Sequence, residues 1–288
     1  MRLSGRPRAL LLAWAALAVS APAVSAQWAA GRGGYWAKLS AFHHSTDEQF
    51  RSNGDKRPFL NADARSRSSA VFLDLLYGVT DHLDLWVQVP YFDLTFNDAA
   101  DNRTSTGVGD IRLSARYNLL NLKGGALPIA ARFTVKVPVV DFPIDAEVIP
   151  VGEGQWDYEA WLEGGMSFWP LPAYAVLWLG YRWRATNDKT TRDPGDERML
   201  LAEIGGTISG PLGAKLIVDG LFGTNGAIQG VKVKNDEREI LYLEPAVTYQ
   251  VTSAFSLEAG TRFPLRGKNF PAGPQFTIAL FHRGKVGS

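Results

Sequence analysis

The sequence predicts an all-β fold: a transmembrane, antiparallel, up-and-down β-barrel of about 12 strands. Three features predict it. The chain opens on an export-type leader. Apolar and polar residues alternate through a dozen segments. The connections between those segments are alternately short and long, as in barrels with short periplasmic turns and long outer loops.

The leader comes first. Arg2, Arg6 and Arg8 form a basic start, Ala9 to Val19 a short apolar core, and Val24-Ser25-Ala26 a small-residue cleavage pattern. The core is shorter than the roughly 18 to 20 residues of a spanning helix, so residues 1–26 are expected to be cut away. The remainder, 27–288, reads as a single outer-membrane barrel domain placed in the outer membrane. Removing the three leader arginines from 30 basic residues leaves 27 against 29 acidic ones, a net charge of −2. That balance gives no basic stripe for nucleic acid. The absence of cysteine excludes disulfides, thiolate metal sites and a cysteine nucleophile.

The clearest strand is 107–120, where Ile111, Leu113, Ala115 and Tyr117 share one face and Asp110, Arg112, Ser114, Arg116 and Asn118 the other. Period two with charge on every second residue describes a wall with one face in oil and one in water. The pattern predicts strands at 34–44, 69–79, 83–97, 107–120, 129–139, 156–169, 174–184, 199–209, 213–223, 240–251, 255–265 and 275–283. The segment from Ala214 to Phe222 carries apolar residues on both faces. Thr80-Asp81-His82, Pro170 to Ala173, Gly210-Pro211-Leu212 and Thr252-Ser253-Ala254 read as tight turns, with Asp81 expected to bond nearby backbone amides. Tyr249-Gln250-Val251-Thr252 echoes Tyr77-Gly78-Val79-Thr80, which suggests one hairpin chemistry used twice. Tyr77, Tyr91, Tyr117, Phe168, Tyr181, Trp183, Tyr249 and Phe263 fall near strand ends on the apolar face, as a membrane girdle requires. The alternating segment from Gly273 to Leu280 resembles a C-terminal signal for barrel insertion machinery, although the chain continues to Ser288.

The inward charges are the candidate site. Arg112, Arg116, Arg132 and Lys136 form a basic column on two consecutive strands. Asp157, Glu159 and Glu163 follow, then Arg182 and Arg184, with Glu203, Lys215, Asp219, Glu244, Glu258 and Arg262 continuing the ring. Such charges either pair and brace the wall or build a field that selects solutes, anions if the basic column is in surplus. This predicts a pore lined by those residues, a monomer without cofactor or metal, with membrane lipid, lipopolysaccharide and a small-molecule solute as partners. Two other readings compete. One is a lipid hydrolase using His43 and Ser69, which share the outward face near the tops of the first two strands, with Asp47 or Glu48 as orienting acid. The other is a structural or adhesive barrel whose long polar loops matter. The four histidines (43, 44, 82 and 282) show no metal-ligand spacing.

The run from Tyr77 through Thr80-Asp81-His82 to Leu85, then Val89-Pro90-Tyr91, Thr106-Gly107-Val108-Gly109-Asp110-Ile111 and Lys136-Val137-Pro138, resembles the MetA-pathway phenol-degradation family of outer-membrane proteins. That family pairs a YGLTD turn with an lPY strand, a GxGD strand and a KxP strand. Here Val79 replaces the usual Leu, and Pro138-Val139-Val140 lacks the common PTG. The resemblance covers roughly residues 70 to 265. It implies an outer-membrane barrel and uptake of small, often aromatic or hydrophobic, compounds.

Overall fold

A computed structural model of the chain describes residues 29–61, 63–139 and 149–286. The expected leader and its cleavage point lie outside the described residues. Twelve wall strands follow in sequence: β1 (Gly34–Thr46), β2 (Arg65–Gly78), β3 (Leu83–Asn97), β4 (Ile111–Leu122), β5 (Leu127–Val137) and β6 (Asp157–Ser167). Then come β7 (Ala173–Arg184), β8 (Glu197–Ser209), β9 (Leu212–Gly223), β10 (Glu239–Gln250), β11 (Phe255–Lys268) and β12 (Gln275–Lys285). Each pairs antiparallel with its sequence neighbours, and β12 returns to β1 from Gly34↔Lys285 to His44↔Gln275. Closure pairs each of the twelve wall strands on both sides, and an open wall edge is what hydrocarbon would penalise heavily.

Burial is inverted relative to a soluble protein. Leu73, Leu113, Phe133, Leu162, Leu177 and Val247 are exposed on the outer face, whereas Asp84, Asp157, Glu159 and Glu197 are among the most buried side chains. An apolar belt facing lipid around a polar interior gives this pattern. Of the eight predicted girdle aromatics, Tyr77, Tyr91, Tyr117, Phe168, Trp183, Tyr249 and Phe263 are exposed, whereas Tyr181 is half-buried and donates its hydroxyl to Asp196 (2.8 Å).

Two wall segments differ from the sequence pattern. The second begins at Arg65 rather than 69. The fourth is divided: Asn102–Val108 pairs with the upper half of β3, and β4 resumes at Ile111 against the lower half. At the bend the Gly109 amide donates to Pro90 O (3.0 Å), and the Phe92 ring fills the space a Cβ would need. The turn after β2 also works differently. Thr80 Oγ1, not Asp81, accepts the His82 and Leu83 amides (3.2 and 2.9 Å), while Asp81 Oδ1 accepts the Arg32 amide at 3.1 Å. Thr252 Oγ1 does the same for Ala254 and Phe255 (3.2 and 3.1 Å), so the two hairpins do share one chemistry.

At the long-loop end, Glu48–Phe50 pairs with Lys56–Pro58 and with Phe270–Pro271. Phe50 turns inward and packs with Ile240, Tyr242 and Ala272. On the opposite side the segment 149–156 lies against Gly109 and Asp110. Loops therefore narrow the outer mouth from two sides.

Candidate functional site: the barrel interior

Strand parity places all fifteen predicted charges on the inner face. Register explains how they meet. Arg116 and Arg132 are direct cross-strand partners, two like charges that would repel. Glu163 resolves the conflict, its carboxylate lying 2.8 Å from Arg116 Nε and 2.5 Å from Arg132 Nε. Asp84 adds a contact to Arg116 at 3.5 Å. Lys136 Nζ meets Asp110 (3.0 Å), Glu153 (2.6 Å) and Asp157 (2.9 Å). Arg182 joins Glu159 (2.8 Å) to Glu197 (2.6 Å), and Arg184 joins Glu153 (2.5 Å) to Glu197 (3.2 Å). The basic column is thus neutralised where it stands, and no cationic surplus remains along it. Arg112 is the most open of the four, about one-third exposed and 3.7 Å from Glu159.

A second group occupies β8 to β12. Lys215 pairs with Glu258 (2.6 Å) and Glu203 (3.5 Å), and Tyr174 donates its hydroxyl to Glu203 (2.5 Å). Arg262 pairs with Asp219 and Glu244 and lies over the Tyr242 ring. The Glu244–Arg262 bridge spans β10 and β11 beside Pro245, which has no amide hydrogen to offer that seam. A side-chain link compensates a missing backbone one.

Several inner groups escaped the sequence reading. Asp74 and Asp84 were legible by parity on strands β2 and β3. Glu197 sits at a strand end, where alternation fades, and Glu153 and Arg238 come from loops. Aromatics were missed as well. The Arg132 guanidinium lies among Trp86, Trp161 and Trp178, 4.7 to 5.4 Å from each ring centre. Phe42 stacks on Phe72 (5.9 Å), and Phe72 meets Phe92 edge-on (5.9 Å). These three rings share the inner face of β1 to β3 and are half-buried, so they remain open to the interior. Lys38, on the same wall, lies 4.9 Å from the Phe281 ring.

The family motifs converge here. Asp110 of the GVGD run and Lys136 of the KVP run form one ion pair. The Asp110 carboxylate also accepts the Glu153 amide at 3.0 Å, and bare Gly109 and Gly152 let that segment lie close. Burial works to raise the Glu153 pKa, but Arg184, Lys136 and Arg238 outweigh it and hold the carboxyl well below its ordinary range.

On the outer face His43 Nδ1 lies 2.9 Å from Ser69 Oγ, the two being register partners. Asp93 is the next partner, beyond Ser69, and accepts from Thr106 at 3.3 Å. Glu48 is engaged with Lys56 at 2.7 Å. Neither it nor Asp47 bonds His43 among the described residues. No group of three or more His, Asp or Glu is placed to hold a metal among the described residues.

A closed twelve-strand wall with lipid-facing apolar residues and a charged interior defines an outer-membrane β-barrel. The chain belongs to the family described as "Putative MetA-pathway of phenol degradation", which matches residues 46–280. Among solved structures it resembles the COG4313 outer membrane channel from Pseudomonas putida F1 (17% identity, 90% of this chain and 98% of that one, TM-score 0.74). It also resembles the NanC porin (8%, 85% and 98%, 0.52) and the translocator domain of the autotransporter NalP from Neisseria meningitidis (10%, 88% and 89%, 0.51). At these identities the likeness concerns the fold. No curated protein sequence matches the chain.

Proposed function

We propose that the protein is a monomeric outer-membrane channel for small solutes bearing an aromatic or other flat apolar group, exported by its first 26 residues. The observation that carries this is the ring series Phe42, Phe72 and Phe92 on one side of an inner wall rich in ion pairs. A half-open aromatic face inside a polar tube offers an apolar solute contact without requiring it to desolvate a charge. Arg112 and Lys38, both partly open, stand on the same side and suit solutes that also carry negative charge. The family's description and the channel among similar structures support the same reading. Proteoliposome swelling tests it with phenylalanine against alanine, which share a zwitterion and differ by the ring. Phenylalanine is expected to enter faster than its size allows, and Phe72→Ala to slow it about 2- to 10-fold, the value of one aromatic contact. Absence of swelling, or no effect of the ring, would overturn the proposal.

A second reading attaches to the His43–Ser69 bond, whose spacing suits a base beside a nucleophile. Among the described residues no acid bonds the far ring nitrogen of His43. Release of fatty acid from mixed micelles that disappears in His43→Ala would establish it, and no His43-dependent release is expected.

A further inference from the structure

Glu153 occupies a place that a solute's carboxylate would fit. Its side chain comes from the 149–156 segment and reaches Arg184 Nη2 (2.5 Å), Lys136 Nζ (2.6 Å) and Arg238 Nη2 (3.2 Å). Lys136 and Arg184 are almost wholly buried, whereas Glu153 and Arg238 are more than one-third exposed toward the mouth. Lys136 and Arg184 are therefore fixed in the wall, and the more exposed Glu153 marks the side from which they can be approached. The segment's backbone is held independently of that carboxylate. The Glu153 amide donates to Asp110 Oδ2 (3.0 Å), and its carbonyl accepts from Asn187 Nδ2 (2.9 Å). The carboxylate can thus swing away by side-chain rotation while the loop stays in place.

Charge balance favours replacement over simple departure. Arg112 and Arg182 share Glu159, and Lys136, Arg182, Arg184 and Arg238 draw on Asp110, Asp157, Glu197 and Glu153. Without Glu153, those five cations would share four carboxylates, Glu159, Asp110, Asp157 and Glu197, in a partly buried site where an uncompensated charge is costly. Another anion restores the balance. A planar carboxylate matches the guanidinium geometry of Arg184 and Arg238.

We propose that Lys136, Arg184 and Arg238 form a carboxylate-binding site at the outer mouth, and that Glu153 is its built-in occupant, displaced by the carboxylate of an entering solute. This rests on the channel reading and narrows its solutes to small, mostly aromatic, carboxylates. Glu153 would then tune affinity downward, so that a solute binds and also leaves.

The test uses the full-length barrel in detergent and in planar bilayers, with benzoate as probe and benzyl alcohol as the ring without the carboxylate. In titration calorimetry, Glu153→Gln is expected to bind benzoate at least about tenfold more tightly than wild type, the internal competitor being gone. Adding Arg238→Gln should abolish that gain, and benzyl alcohol should not distinguish the proteins. Glu153→Ala supplies the same comparison should the glutamine variant fold poorly. Equal benzoate affinity in wild type and both Glu153 variants, or a gain that survives Arg238→Gln, would overturn the site. Bilayer current separates the two levels: a calorimetric gain in a barrel that never conducts would sink the channel reading and leave the site standing.

Discussion

Glu163 shows how one side chain decides whether an inner wall is possible. It sits between Arg116 and Arg132, register partners whose like charges would otherwise face each other across a single strand spacing. Both arginines are buried, so neither can turn to bulk water. The three indoles around Arg132 lower the cost of holding its charge but do not cancel it. Glu163→Gln keeps the shape and removes the charge. It is expected to destabilise the barrel by about 3 to 5 kcal/mol, the usual cost of stranding a buried ion. Guanidinium unfolding followed by tryptophan fluorescence measures this. Pairing the change with Arg132→Met should recover part of the loss, because the stranded charge leaves with it.

At the level of the strand, the decisive property is which face meets lipid. On β4, Leu113 points outward and is half-exposed, and its neighbours Arg112 and Ser114 point inward. Leu113→Arg should therefore cost about 2 to 4 kcal/mol near mid-bilayer. Ser40→Gln, on the inner face of β1, should change stability by no more than about 0.5 kcal/mol. Unfolding in lipid vesicles compares the two. Equal costs would mean that the register, and with it every assignment of inner residues, is wrong.

The whole molecule stands on closure. The lower half of β1, from Gly34 to Lys38, pairs with Phe281 to Lys285, residues beyond the segment that resembles an insertion signal. Ending the chain after Leu280 would leave a row of unpaired amides and carbonyls in hydrocarbon, each costing several kcal/mol. That truncation is expected to lose the compact, heat-modifiable band on cold gel electrophoresis, whereas ending at Lys285 should retain it. The outer mouth is likewise a property of the whole. Phe50 and Ala272 lie far apart in the chain and meet only because closure brings their loops together.

The sequence by itself determined the strand number, the boundaries of most wall strands and the inward face of all fifteen predicted charges. It could do so because alternation is local: in a strand, parity alone assigns a side chain to lipid or interior. It also determined Thr80 and Thr252 as turn residues, though not which side chain makes the turn's bonds. Only the tertiary structure decided what the charges do. Whether Arg132 and Lys136 present a cationic stripe depends on cross-strand register and on groups from other strands and loops, above all Glu163, Asp110, Glu153 and Asp157. Those pairings are set by stagger and closure, which no single segment encodes. The aromatic face of Phe42, Phe72 and Phe92 was hidden for the same reason: each ring is one residue on its own strand, and they become a surface only when three strands align.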